Sequence, residues 1–155
     1  MRGRFLTITV SCLLLGAMPQ AIAETGRVIK VLPQFLDKEG RHALTPSLYE
    51  RDAYQAYLRT HPAEQSGMRF AIQWKTHGGV YSPLKLKVEI RGTVKDGMPT
   101  HTVLQTEVKP GGWFSHWTSL SLTGNDWDKS GEVTAWRATL WEGDELLSEQ
   151  KSFLW

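Results

Sequence analysis

Two runs of residues in this chain have the types and spacing that chemistry needs. In the run 126–132, Asp126, Asp128 and Ser130 offer side-chain oxygens at alternate positions and Gly131 follows, as in the first half of an oxygen-rich calcium loop. The second half fails, because the twelfth position holds Arg137 where a bidentate glutamate belongs, and Lys129 puts a competing charge inside the loop. The run therefore reads as an ordinary Asp, Ser and Gly turn between strands, with Asp126, Asp128 and Ser130 its only candidate metal ligands.

The second run is aromatic. Seven tryptophans are the most unusual feature of the composition. On a strand period of two, Trp74 and Trp136 fall among apolar neighbours and read as core. Trp113 and Trp117 share a face with Ser115, Ser119 and Ser121, while Trp141 shares one with Arg137 and Thr139, so these three are candidate ligand-binding residues. Two exposed indoles four strand positions apart would be separated by about 13 Å at roughly 3.3 Å per residue, a spacing suited to two sugar rings of an extended glycan. The weightier alternative buries both faces of that strand, one in the core and the other under a helix carrying Tyr49, Tyr54 and Tyr57, because large aromatics are mostly core or interface residues.

Elsewhere the chemistry thins out. His42, His61, His77, His101 and His116 are dispersed, with no pair at the close spacing that brings two imidazoles onto one metal. Ser115 and His116 are adjacent and would point to opposite faces of a strand, so they cannot act as nucleophile and base. No nucleophile elbow, phosphate loop or zinc-protease helix motif is present. No cofactor is implied, and the chain reads as a non-enzyme.

The N-terminal segment sets the compartment. Arg2 and Arg4 precede an uncharged apolar stretch, residues 5–17, and Pro19 then leads to Ala21-Ile22-Ala23, whose small residues suit signal-peptidase cleavage before Glu24. Residues 1–23 thus read as a signal peptide and 24–155 as one exported domain, periplasmic or extracellular. The apolar stretch is shorter than the roughly 20 residues a spanning helix needs, so no integral span is expected after cleavage. Cys12 is followed by Leu13-Leu14-Leu15, which puts it inside the apolar stretch and not at a lipid-attachment site. Losing Arg2 and Arg4 takes eighteen Lys plus Arg down to sixteen, equal to the sixteen Asp plus Glu. A near-neutral domain lacks the basic excess that nucleic acid requires, and losing Cys12 removes disulfides and thiolate ligands.

The remaining sequence must supply the scaffold. Residues 27–36 read as an edge strand broken by Pro33. Thr45, Pro46 and the Ser47/Glu50 pair at capping-box spacing open a helix over about residues 47–60, which ends before Pro62. From residue 68 the period becomes two: Met68, Phe70, Ile72 and Trp74 alternate with polar or small residues, and so do Leu84, Leu86, Val88 and Ile90. His77-Gly78-Gly79 and Ser82-Pro83 form the turn between them. Further strands follow at 102–108, 113–122, 133–141 and 146–155, the last two joined as a hairpin through Glu142-Gly143-Asp144-Glu145. About seven short strands at this spacing predict a mainly β, two-sheet sandwich.

The run 68–75, a Pro- and Gly-containing turn, and the run 84–91 resemble strands B and C of a fibronectin type III or related immunoglobulin-like domain. In such domains a tryptophan near the end of strand B packs in the core, and Trp74 matches that position. The resemblance spans residues 68–155 and implies an immunoglobulin-like sandwich with one added helix near residues 47–60; it lacks the tyrosine before strand F and the cysteine pair of antibody domains. The expectation is an exported, non-enzymatic module that binds an envelope protein or glycan or supports an envelope assembly. A carbohydrate-binding module, an immunoglobulin-like protease inhibitor and a hydrolase are the alternatives. An outer-membrane barrel fits less well, because Glu149 and Lys151 share a face with Phe153 and Trp155 and would meet lipid.

Overall fold

The computed structural model describes residues 25–77, 82–112 and 114–155. The expected leader, Trp113 and the Gly78-Gly79 turn lie outside the described residues. Among the described residues the chain is mainly β, with seven strands in two antiparallel sheets and two α-helices. Strands β1 (Gly26–Asp37), β2 (Gln65–Thr76) and β5 (His116–Thr123) form one sheet in the order β1-β2-β5. Strands β3 (Leu84–Thr93), β4 (Pro99–Val108), β6 (Glu132–Glu142) and β7 (Glu145–Lys151) form the other, in the order β4-β3-β6-β7.

Alternation builds the core as expected. Val28 and Val31 of β1, Met68, Phe70, Ile72 and Trp74 of β2, and Leu122 of β5 pack with Leu84, Leu86, Val88 and Ile90 of β3 and Ala138 and Leu140 of β6. Both sheets thus send every second side chain into one apolar cluster, and each fully buried Leu, Ile or Phe contributes about 1.5–3 kcal/mol. Trp136 packs against this cluster and meets Phe70 edge-on at 6.5 Å between ring centres. The Trp74 indole is buried and donates to Thr118 Oγ1 at 3.0 Å, which removes the cost of an unpaired N–H.

Pro33 does not break β1. It stays in register opposite Phe70, because β1 is an edge strand and a missing N–H on the open side costs nothing there. The same edge receives the added helix α1 (Leu48–Thr60). Ser47 caps it by accepting from the Glu50 N–H, whereas the Glu50 carboxylate takes the Thr45 hydroxyl and not the Ser47 N–H that a full capping box would supply. Gln55 then acts as a surrogate strand residue: its amide oxygen accepts from the Phe35 N–H at 2.7 Å and its NH2 donates to the Phe35 carbonyl at 2.9 Å.

Asp37 fastens the loop between β1 and α1. Its carboxylate accepts from the N–H groups of Glu39 and Arg41, the Arg41 guanidinium and the Tyr54 hydroxyl, all at 2.7–2.9 Å. Burial pushes this carboxyl up, but the Tyr54 and Arg41 hydrogen bonds outweigh it and bring it down to about 2.

Several boundaries differ from expectation, among them the starts of β2 and β4, at Gln65 and Pro99 where residues 68 and 102 are expected. The run expected as a turn at 126–132 holds a second helix, α2 (Gly124–Ser130), whose last turn is closed by the Ser130 hydroxyl donating to the Trp127 carbonyl at 2.7 Å. Strand β5 begins at His116, not at 113, and β7 ends at Lys151, after which the chain turns back with the Trp155 N–H donating to the Ser152 carbonyl.

Candidate functional site

At one end of the two sheets the core stays uncovered and forms a cleft of about 1010 Å³. Its floor is apolar: Phe35 of β1, Met68 of β2, Trp127 of α2 and Val133 of β6. Met68 belongs to the buried core, and Phe35, Val133 and the helix residue Trp127 are partly buried against it. Arg59, Lys95, Asp128 and Glu132 form the rim, and among the described residues none of the four makes an ion pair. Two positive and two negative groups around an aromatic floor suit a ligand carrying both an apolar side chain and polar backbone or charge.

One wall of the cleft is built from backbone packed on backbone. A Cβ on Gly131, whose φ is +64°, would stand 2.3 Å from the Thr93 carbonyl oxygen, and a Cβ on Gly92 would stand 2.2 Å from the Ser130 carbonyl oxygen. Only glycine permits these approaches, which bring the end of β3 against the junction of α2 and β6. The opposite wall, with Arg59 and Pro62, comes from the α1 side and is joined by side-chain bonds such as Gln65 Nε2 to the Leu58 carbonyl.

A second constellation occupies the outward face of the four-stranded sheet. Glu89 of β3 is 9% exposed; it accepts from the Arg137 guanidinium at 2.6 and 2.9 Å and pairs with Lys87 at 3.2 Å. Burial raises the Glu89 carboxyl, and the Arg137 and Lys87 hydrogen bonds overcome it, so the net direction is down. Trp155 folds onto this face with the Arg91 guanidinium 3.9 Å and that of Arg137 5.0 Å from its ring centre. Beside them Thr139 Oγ1 and Trp141 Nε1 are buried with no hydrogen-bond partner. Lys87, Glu89, Arg91 and Arg137 are each engaged with a neighbour, and two of them hold the C-terminal Trp155 against this face.

The sequence-derived candidates separate. Trp117 is 52% exposed on the outer face of β5, opposite Gln73. The tyrosines of α1 do not cover it: Tyr49 is 84% exposed, and the Tyr54 hydroxyl is engaged by Asp37. Trp113 lies outside the described residues, and β5 begins at His116. Trp141 does face outward with Arg137 and Thr139, but it is half-buried in the charged sheet. Trp117 and Trp141 lie in different sheets.

Asp126 and Asp128 are two residues apart on helix α2, so their carboxylates project to different sides, and Ser130 is buried with its hydroxyl turned to backbone. Among the described residues no group of three or more His, Cys, Asp or Glu side chains is placed to hold a metal ion. None is a helix long and apolar enough to cross a membrane. What sequence reasoning missed is the cleft, and its one signal was Trp127, a large aromatic in a run otherwise polar and bounded by Gly124 and Gly131. Comparison with protein-family models, with curated proteins and with solved structures finds no match for this chain.

Proposed function

We propose that the chain is an exported, non-enzymatic binding module with an immunoglobulin-like β-sandwich, and that it holds an envelope protein in the end cleft. The observation that carries the reading is the cleft itself: concave, floored by Phe35, Met68, Trp127 and Val133, and rimmed by charges of both signs. An aromatic floor ringed by polar groups is the arrangement by which protein interfaces exclude water around a few anchors.

The fold assignment is supported by strand order. Lettered along the chain, the sheets read A-B-E and C′-C-F-G, the order of a fibronectin-type sandwich whose fourth strand has moved beside C, with Trp74 at the core position on strand B. Export is supported by the charge, apolar run and small-residue site of residues 1–23.

A photo-crosslinking side chain at Lys95 or Glu132, compared with one at Lys109 away from the cleft, tests the reading in the native envelope. The expected result is a discrete adduct with one envelope protein from the cleft positions alone. Adducts indistinguishable among the three positions would refute it, and an adduct with a protease would make the module an inhibitor. Half-exposed Trp117 beside Gln73 favours a second reading, glycan stacking on that indole. Quenching of fluorescence by a polysaccharide, lost in W117A, supports it; unchanged emission removes it.

A further inference from the structure

We infer that the free edge of β4 is a self-association surface on which a second copy of this chain adds its own β4, antiparallel and in register about Leu104. Strand β4 ends the four-stranded sheet and pairs with β3 through ten rows without a bulge, so alternate N–H and C=O groups along its other edge face away from the sheet.

Two of the other three edges are guarded. β1 carries Pro33, two register shifts and the Gln55 amide, and β7 is tied to β1 by the Val28 N–H donating to Ser148 Oγ and by Gln150 Nε2 donating to the Ile29 carbonyl. β5 is also free of Asp, Glu, Lys and Arg, but it is shorter than β4, eight residues against ten. β4 has no lysine or arginine and no bulge, and its one proline, Pro99, is the first residue of the strand. A long, flat edge of this kind is a template for another strand.

The sequence of β4 is complementary to itself in only one register. Centred on Leu104, an antiparallel copy places His101 opposite Glu107, Val103 opposite Gln105, Thr102 opposite Thr106, and Leu104 opposite Leu104. Shifting the centre to Val103 sets Glu107 against Pro99, and shifting it to Gln105 sets Glu107 against Val103. Val103 is itself an exposed hydrophobic on this edge, and both exposed and core-side rows continue across the two-fold without mismatch. The product is an eight-stranded sheet made from two four-stranded ones.

The register is testable by oxidation in the full chain with Cys12 replaced (C12S), which leaves no other cysteine. L104C sets two thiols directly opposite, about 5 Å apart at Cβ, and is expected to form a disulfide-linked dimer under mild oxidant. T100C sets them about 27 Å apart and is expected to remain monomeric. V103K provides an arm that keeps the fold: in the monomer the lysine lies opposite Glu89, but in the dimer two lysines meet diagonally across the edge. Sedimentation of the native chain should show a monomer–dimer equilibrium, and V103K should weaken it at least about tenfold with thermal unfolding unchanged. A native chain that stays monomeric across a concentration series overturns the inference, as does equal cross-linking of L104C and T100C or undiminished dimerisation of V103K.

Discussion

Replacing Asp37 with asparagine should measure how firmly the loop and helix α1 are fastened to the sheet edge. The carboxylate accepts four hydrogen bonds and sits almost fully buried, and its pKa of about 2 lies nearly two units below the ordinary 3.8. At about 1.4 kcal/mol per unit, the charged form contributes about 2 kcal/mol to stability. Because the folded pKa is the depressed one, this contribution is fully present above about pH 4 and is lost as the pH falls to about 2. D37N should therefore unfold at a midpoint roughly 6–10 °C below the native chain at pH 7, given about 3–5 °C per kcal/mol for a domain of this size. Thermal and urea unfolding at a series of pH values provides the assay. The gap between the two proteins should close between pH 4 and pH 2. A D37N chain as stable as the native one at neutral pH, or a gap independent of pH, would refute the account of Asp37 as a charged fastener.

Three further substitutions probe other parts of the fold. E89Q leaves the Arg137 guanidinium with one neutral acceptor in place of a carboxylate and should cost about 2 kcal/mol in urea unfolding at pH 7. T139V removes a buried hydroxyl that has no partner while keeping the β-branched shape, so it should stabilise the domain by about 1 kcal/mol; a loss of stability would mean that the hydroxyl is satisfied. G131A forces a left-handed backbone onto alanine and drives its Cβ into the Thr93 carbonyl, so it should cost about 3 kcal/mol or prevent folding, with loss of near-ultraviolet circular dichroism as the readout.

Most strands were legible because their pattern is a consequence of burial on one side. Met68 to Trp74 and Leu84 to Ile90 alternate cleanly since β2 and β3 each pack one face on the shared core. Helix α1 announced itself through Ser47 and through Pro62 beyond its end, local signals that need no tertiary partner. Helix α2 was hidden for the opposite reason: two turns are too short to show a period, and Asp, Ser and Gly are common to turns and to helix ends. The pairing of Arg91 and Arg137 with Trp155 was equally unreadable, since it depends on the chain reversing after Lys151. Beyond the lone Trp127 the cleft left no mark in the sequence, because Phe35, Met68, Trp127 and Val133 come from four elements and meet only through the packing of both sheets.

The two glycine crossings at Gly92 and Gly131 make the two sides of the cleft unequal. The wall they fuse cannot yield without breaking backbone contacts, so in the proposed binding role it would act as a mould that selects by shape and loses no conformational freedom. The α1 side is held by side chains and can be retuned residue by residue. In the proposed binding role, variation in the partner should therefore accumulate at Arg59 and its neighbours, while the glycine wall is the portion that a designer grafting the cleft onto another scaffold would have to carry over intact.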